Sequence, residues 1–323
     1  MDRRYQASEI SYHTWYNYHS MIRSFRLFYG TTLKKKSLAL KHMDAEILQQ
    51  YKSFCLQKGN STDTVNRKLV PLLISMKYAE IEGLVSHSTF VAMEALYLPA
   101  RSRNYGLEAQ RKGYSDIEPI HHLNDLQLKQ LLGYYEDCGE KSPFRIVLDL
   151  FFFSFHACGL RISDILTLEW KSIDFANARL SKVLVKSKAM ITIPLTEPAI
   201  HILYRWKKIN GKRQFVFGFL PDGFDLTDEA VLARTIDNRN KTIRNTLNTI
   251  GNHLNFPIPL GMHVARHSFA VRALNTQGIS VHMISRLLGH SSVLVTEKVY
   301  ARFLLPTLTS EVREKLSSAA FLP

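Results

Sequence analysis

Ser142-Pro-Phe-Arg-Ile-Val-Leu-Asp149-Leu-Phe-Phe-Phe-Ser-Phe-His156-Ala-Cys-Gly159-Leu-Arg161 is the stretch on which the fold of this chain turns. A serine followed by proline puts a capping hydroxyl and a preset φ in the favoured order for a helix start. The apolar run behind them is continuous rather than one-sided, so the helix is expected to be buried all round, at the centre of a domain. Gly159 marks its stop. The longest apolar stretch, Ile146 to Leu160, is broken by Asp149 and His156. It falls short of the roughly 20 residues that cross a bilayer. Arg161 then follows in an apolar setting, where a guanidinium is costly unless it meets an anion or a carboxylate. Asp164, three residues on, shares its helical face and can orient it. Taken alone, a structural Arg–Asp pair is the simpler explanation.

Around this helix the rest of the second half falls into place. Asn124-Asp-Leu-Gln127 fits a capping box ahead of a helix through Leu131 and Tyr135. From Leu180 to Val185 and from Met190 to Leu195, β-branched residues bracket Lys186-Ser187-Lys188, which predicts a hairpin with a basic tip. Helical patterns resume near Glu197 and run over 231–253, 263–277 and 280–288, with a short helix over 293–302 and a tail over 309–320.

The first hundred residues read as helices. Trp15, Tyr18, Ile22, Phe25 and Phe28 recur at helical spacing up to Gly30. Asp44 can cap a helix that puts Ile47, Leu48, Tyr51, Phe54 and Cys55 on one face, with Gly59 after it. A third helix is predicted from about Thr64 to Glu82, stopped by Gly83, with a kink expected at Pro71. The resulting bundle carries Arg23, Arg26, Lys34, Lys35, Lys36, Lys52, Arg67 and Lys68. Between Pro99 and Pro119 the apolar pattern lapses into a polar, basic, turn-rich stretch. The expected organisation is therefore mainly α with a small β-sheet: a helical bundle over 1–100, a linker over 101–118 and a second domain over 119–323.

Composition narrows the partner. The 323 residues are 46 % hydrophobic and 22 % charged, ordinary values for a folded chain. The net charge of +14 is not ordinary and favours a polyanion, either nucleic acid or an anionic membrane surface. The start, Met1-Asp-Arg-Arg-Tyr5, has charge but no apolar run behind it, so neither a secretory signal nor a membrane span is expected. The cysteines Cys55, Cys138 and Cys158 are odd in number and lack CxxC spacing, which fits reduced thiols in the cytoplasm and neither a disulfide frame nor a zinc site.

Four pieces of the second half bear on chemistry, each weak by itself. The first is Gly159-Leu-Arg161-Ile-Ser-Asp164. The second is Lys186 at the hairpin tip, eight residues before Pro194. The third is His263-Val-Ala-Arg266-His267-Ser-Phe-Ala270, whose His263 and Arg266 can point at one phosphate. The fourth is Leu288-Gly-His290-Ser-Ser, with Tyr300 ten residues after His290. In combination they are specific. The chain resembles the tyrosine recombinase (phage integrase) family over nearly its whole length, and looks most like the integrases and invertases of mobile elements and phage.

That resemblance implies a core-binding domain at the N-terminus and a catalytic domain from about residue 119. It implies Tyr300 as nucleophile, Arg161 and Arg266 as the arginine pair and His263 as the HxxR histidine. His290 fills a position that is histidine or tryptophan in the family, and Asp164 the acidic position supporting the first arginine. Lys186 is the implied hairpin lysine. Lys188 competes with it, though the offset to Pro194 favours Lys186. The implied substrate is double-stranded DNA clamped between the two halves, with four copies acting on two sites. Accessory DNA-bending or directionality proteins are compatible with it, and no cofactor or metal is implied. The tail beyond Phe303, with Leu304, Leu305, Leu308, Val312 and Leu316, is expected to dock on a neighbouring protomer. Two alternatives stand beside this: relaxation of DNA in the manner of a type IB topoisomerase, and a catalytically silent regulator built on the His267–Tyr300 region.

The chemistry explains the residue types. Charge grows on the non-bridging oxygens of a phosphodiester under attack, and two guanidiniums can neutralise it bidentately without losing protons. A phenol with an ordinary pKa near 10 needs a base, the task expected of His263. The departing 5′ oxygen needs a proton, which a lysine can give. A 3′-phosphotyrosine conserves the energy of the broken bond, so rejoining requires no external energy source.

Overall fold

The computed structural model describes residues 1–34, 39–97, 121–275, 279–290, 292–297 and 299–300. The expected linker over 101–118 and the apolar tail beyond Phe303 lie outside the described residues, as do Lys35, Lys36, Gln277 and Ser291. The chain divides into two compact units, Met1–Arg103 and Asn104–Pro323.

The first unit is helical: α1 (Asp2–Gln6), α2 (Tyr12–Thr31), α3 (Ala45–Gln57), α4 (Thr62–Ile81) and α5 (His87–Glu94). Side-chain caps set most of the starts. Ser11, Asp44, Ser61 and Ser86 each accept a backbone N–H from the first turn of α2, α3, α4 and α5. The helix α2 is longer than its aromatic stripe, running through Gly30. Likewise α4 runs through Pro71 as one helix, with Pro71 itself buried. The core is aromatic: Phe25 meets Tyr51 edge-on at 5.0 Å between ring centroids, and Phe28 lies 5.2 Å from the same ring.

In the second unit, α6 (Asp125–Asp137) and α7 (Pro143–His156) begin at the expected caps. Asn124 and Gln127 form the reciprocal capping box, and Ser142 caps α7 with Pro143 in its first turn. As expected, α7 is central: α6, α8 (Ile162–Leu166), α9 (Glu197–Asn210), α10 (Glu229–His253) and α11 (Met262–Leu274) all pack on it. Its one interior carboxylate, Asp149, is satisfied by Tyr135 Oη at 2.7 Å, Trp206 Nε1 at 2.9 Å and an ion pair with Arg205.

The sheet has three antiparallel strands in the order β1 (Ile173–Asp174), β2 (Arg179–Val183), β3 (Met190–Pro194). The hairpin β2–β3 is the expected one, with Leu180 opposite Ile193 and Lys182 opposite Ile191. The two-residue β1 was not foreseen, being too short to display an alternation. Finally α12 (Val281–Leu287) packs against α11 and β3, and residues 293–297 and 299–300 are helical.

Candidate active site

The end of α7 makes the first half of the site. Cys158 and Gly159 have φ of +55° and +72°, and this double left-handed turn throws the chain back so that Arg161 heads α8. A Cβ on Gly159 would lie 3.1 Å from both Arg266 Cγ and Leu288 Cδ2, so the glycine is needed for closeness as well as for its φ. Arg266, on α11 and only 6 % exposed, donates from Nη1 to the Gly159 carbonyl at 2.7 Å and from Nη2 to the Leu288 carbonyl at 2.7 Å. Arg161 Nη1 reaches the same Leu288 oxygen at 3.5 Å, the outer limit of a hydrogen bond. One carbonyl thus gathers both guanidiniums. Burial, then the charge of Arg161, pushes Arg266 down to about 10. Among the described residues neither arginine has a carboxylate ion pair; the buried Asp164 reaches them only through its field.

His290 joins this cluster from the turn after α12. Its Nε2 faces Arg266 Nη2 at 2.9 Å and its Nδ1 faces Thr296 Oγ1 at 2.8 Å. Since a guanidinium can only donate, Nε2 accepts and the ring proton sits on Nδ1. Burial and the two arginines lower its pKa to about 4, which keeps the ring neutral. Gly289, at φ +62°, packs so closely that a Cβ there would run into Leu184, where the hairpin turn begins. The histidine turn and the hairpin are therefore one packed unit.

The hairpin places its two lysines differently. Lys188 Nζ pairs with Glu229 at the start of α10, at 3.1 Å. Lys186 is exposed at the tip, and its charge reaches the imidazole of His263. Asp164 is fully buried, and its Oδ1 accepts the Val185 N–H at 2.7 Å. Asp164 donates its backbone N–H to the Arg161 carbonyl at 2.9 Å, but among the described residues no side-chain hydrogen bond joins the carboxylate to the guanidinium, so the carboxylate pins the lysine-bearing tip where the sequence pointed to the arginine. Burial raises its pKa against the field of Lys182. Lys182 itself, 8 % exposed, donates from Nζ to Asp164 O at 2.7 Å and Thr167 Oγ1 at 2.8 Å, and burial lowers it to about 8. Sequence reasoning passed over Lys182. The signal was its place between Leu180 and Leu184 on the inward face of the strand.

Tyr300 is 1 % exposed, and its hydroxyl lies 2.7 Å from Nδ1 of His267. Burial pushes the phenol up to about 12, with Arg266 and Arg161 pulling the other way, so the oxygen stands within the field of the arginine pair of its own chain. His263 lies one turn before His267 on α11, at 6.2 Å between ring centroids, on the exposed side. Desolvation by the surrounding protein, then Arg266, Arg161 and Lys186, lowers its pKa. The tyrosine's partner is thus His267, where His263 was expected. His267 lies within the His263–Ala270 motif, and its position four residues after His263, on the same helical face, is the signal in the sequence.

Arg161, Lys186, His263, Arg266, His290 and Tyr300 therefore belong to one neighbourhood of the second unit, with Asp164 beneath the hairpin. The family model described as the phage integrase family matches residues 122–304, more than half of the chain. This chain belongs to the phage integrase family. A second model, the phage integrase SAM-like domain, matches residues 1–95 of this integrase-family protein. Among curated relatives, the tyrosine recombinase XerC of Alcanivorax borkumensis is 24 % identical over 249 residues, covering 76 % of this chain and 70 % of that one. The XerC of Chlorobaculum parvum is 28 % identical over 142 residues, 44 % of this chain and 41 % of its own length. In fold, this family member resembles the Tn1549 transposon integrase in complex with transposon right end DNA: TM-score 0.66, 17 % identity, 98 % of each chain covered. It also resembles a lambda integrase dimer bound to a core site, with TM-score 0.59, 16 % identity and coverage of 94 % and 93 %.

Proposed function

We propose that this protein is a site-specific DNA recombinase that cuts and rejoins duplex DNA through a 3′-phosphotyrosine, with integration, excision or inversion as the outcome. The observation that carries the reading is the arginine pair gathered on the Leu288 carbonyl, without carboxylate partners, beside the Tyr300 hydroxyl. A scissile phosphate seated there supplies the direct anionic partner that neither arginine has. Arg161 and Arg266 bind its non-bridging oxygens and stabilise the charge that grows on them. Tyr300 Oη attacks phosphorus, and the P–O5′ bond breaks with its electron pair on the leaving oxygen. Lys186, on the exposed tip, supplies the proton that oxygen needs. His263, in the field of the same cations, faces the phosphate from the open side of α11, and neutral His290 holds Arg266 in place. A silent regulator has no use for this set.

Double-stranded DNA is the substrate, and four copies on two sites are the working assembly. The excess of +14 charges suits phosphate contacts. Tyr300→Phe tests the core of the reading. On a nicked suicide duplex bearing the chain's own site, it is expected to keep DNA affinity and form no covalent protein–DNA adduct. An adduct in that variant removes Tyr300 as nucleophile.

A further inference from the structure

We propose that His267, and not His263, takes the phenolic proton of Tyr300 during DNA cleavage, an assignment that rests on Tyr300 being the nucleophile. The Nδ1–Oη distance of 2.7 Å is within the reach a general base requires, and the rings meet edge to face at 5.7 Å between centroids. Among the described residues His263 makes no hydrogen bond to Tyr300. His267 is also well fixed: it follows Arg266 on α11, a helix packed against the central α7.

The protonation states agree with that direction. Burial, then His263, Arg266, His122 and His121, lowers His267 to about 4, while burial raises Tyr300 to about 12. The phenol is therefore the donor and the imidazole the acceptor, with the ring proton on Nε2. A neutral histidine of low pKa is a weak base, and the substrate corrects this. A phosphodiester bound at Arg161 and Arg266 brings negative charge beside the ring and raises its proton affinity when it is needed. As the Oη–P bond forms, the O–H bond breaks and its proton passes to Nδ1. The P–O5′ bond breaks with its electron pair on O5′, which takes a proton from Lys186. Rejoining runs the same transfers backwards: the incoming 5′ hydroxyl gives its proton to the lysine and the imidazolium returns one to the departing phenolate.

The test uses the full chain and a nicked suicide duplex bearing the site that the wild-type protein selects from the DNA flanking its gene. His267→Gln keeps an acceptor for the phenol but cannot take its proton, and His267→Ala removes both. Both are compared with His263→Ala, each with Tyr300 either natural or replaced by 3,5-difluorotyrosine, whose more acidic phenol needs less help. Rates are referred to the adduct end-point, so only folded protein counts. His267→Gln is expected to slow adduct formation by about 10²–10⁴-fold. Fluorination is expected to recover most of that loss and none of the loss in His263→Ala. Three results overturn the proposal: His267→Gln cleaving at the wild-type rate or faster, which makes the contact a resting latch; a loss that fluorination leaves untouched, which makes it structural; or recovery confined to His263→Ala. An adduct in Tyr300→Phe is a separate failure, of the nucleophile itself.

Discussion

Lys186 and Lys188 are two residues apart on one turn, yet their surroundings differ in kind. Lys188 is held by Glu229, while the charge of Lys186 is felt at His263. If Lys186 is the general acid, its value lies in protonating a departing alkoxide. Replacing the 5′ bridging oxygen by sulfur gives a leaving group that departs as a thiolate, with a pKa near 8.5 rather than that of an alcohol. Lys186→Ala is expected to be about 10²–10⁴-fold slow on ordinary DNA and largely rescued on the phosphorothiolate. Lys188→Ala is expected to show neither effect, and Arg161→Ala and Arg266→Ala a loss without rescue, because they act on the non-bridging oxygens. Adduct formation on the two duplexes reads this directly; rescue of Lys188→Ala alone reverses the assignment.

Helix α7 joins the fold to the site: its interior sets the core and its end sets Arg161. Asp149 holds three neighbours there, and Asp149→Ala leaves the Arg205 charge and the Trp206 N–H without it. Breaking such a pair from one side is expected to cost about 3–5 kcal/mol, measurable as a lower urea midpoint. The start of this helix was legible because Ser142-Pro143 and the Asn124–Gln127 box are local signals, complete within a few residues. The hairpin was legible for the same reason. The short β1 was not, and neither was the pairing of His267 with Tyr300, which spans 33 residues and exists only once α11 and the helical residues 299–300 pack. Asp164 shows the limit from the other side. Its spacing to Arg161 signals proximity, but the Val185 N–H that claims its oxygen comes from the hairpin turn, 21 residues away. Motif spacing named residues that the fold brings near one another; partner choice among them is a tertiary property.

At the scale of the whole molecule, His156, His267 and His290 are all held neutral, each with its pKa lowered from 6.5 to about 4 by burial first. The unfolded chain takes up these protons near pH 6.5 and the folded chain only near 4. Stability is therefore full above pH 6.5 and is lost as the pH falls toward 4, at up to about 1.4 kcal/mol per pH unit for each ring. Urea titrations at pH 7, 6 and 5 are expected to show falling midpoints, and midpoints flat over that range contradict the neutral rings. The arginine pair and Tyr300 also meet within a single chain, which has a consequence for mixtures. A copy lacking Arg161 cannot borrow that guanidinium from a copy lacking Tyr300, nor lend its own tyrosine in return. Equal amounts of Arg161→Ala and Tyr300→Phe protein are expected to stay inactive together, while diluting wild-type protein with either one lowers cleavage in proportion to the wild-type copies that remain. Two broken copies do not complement each other.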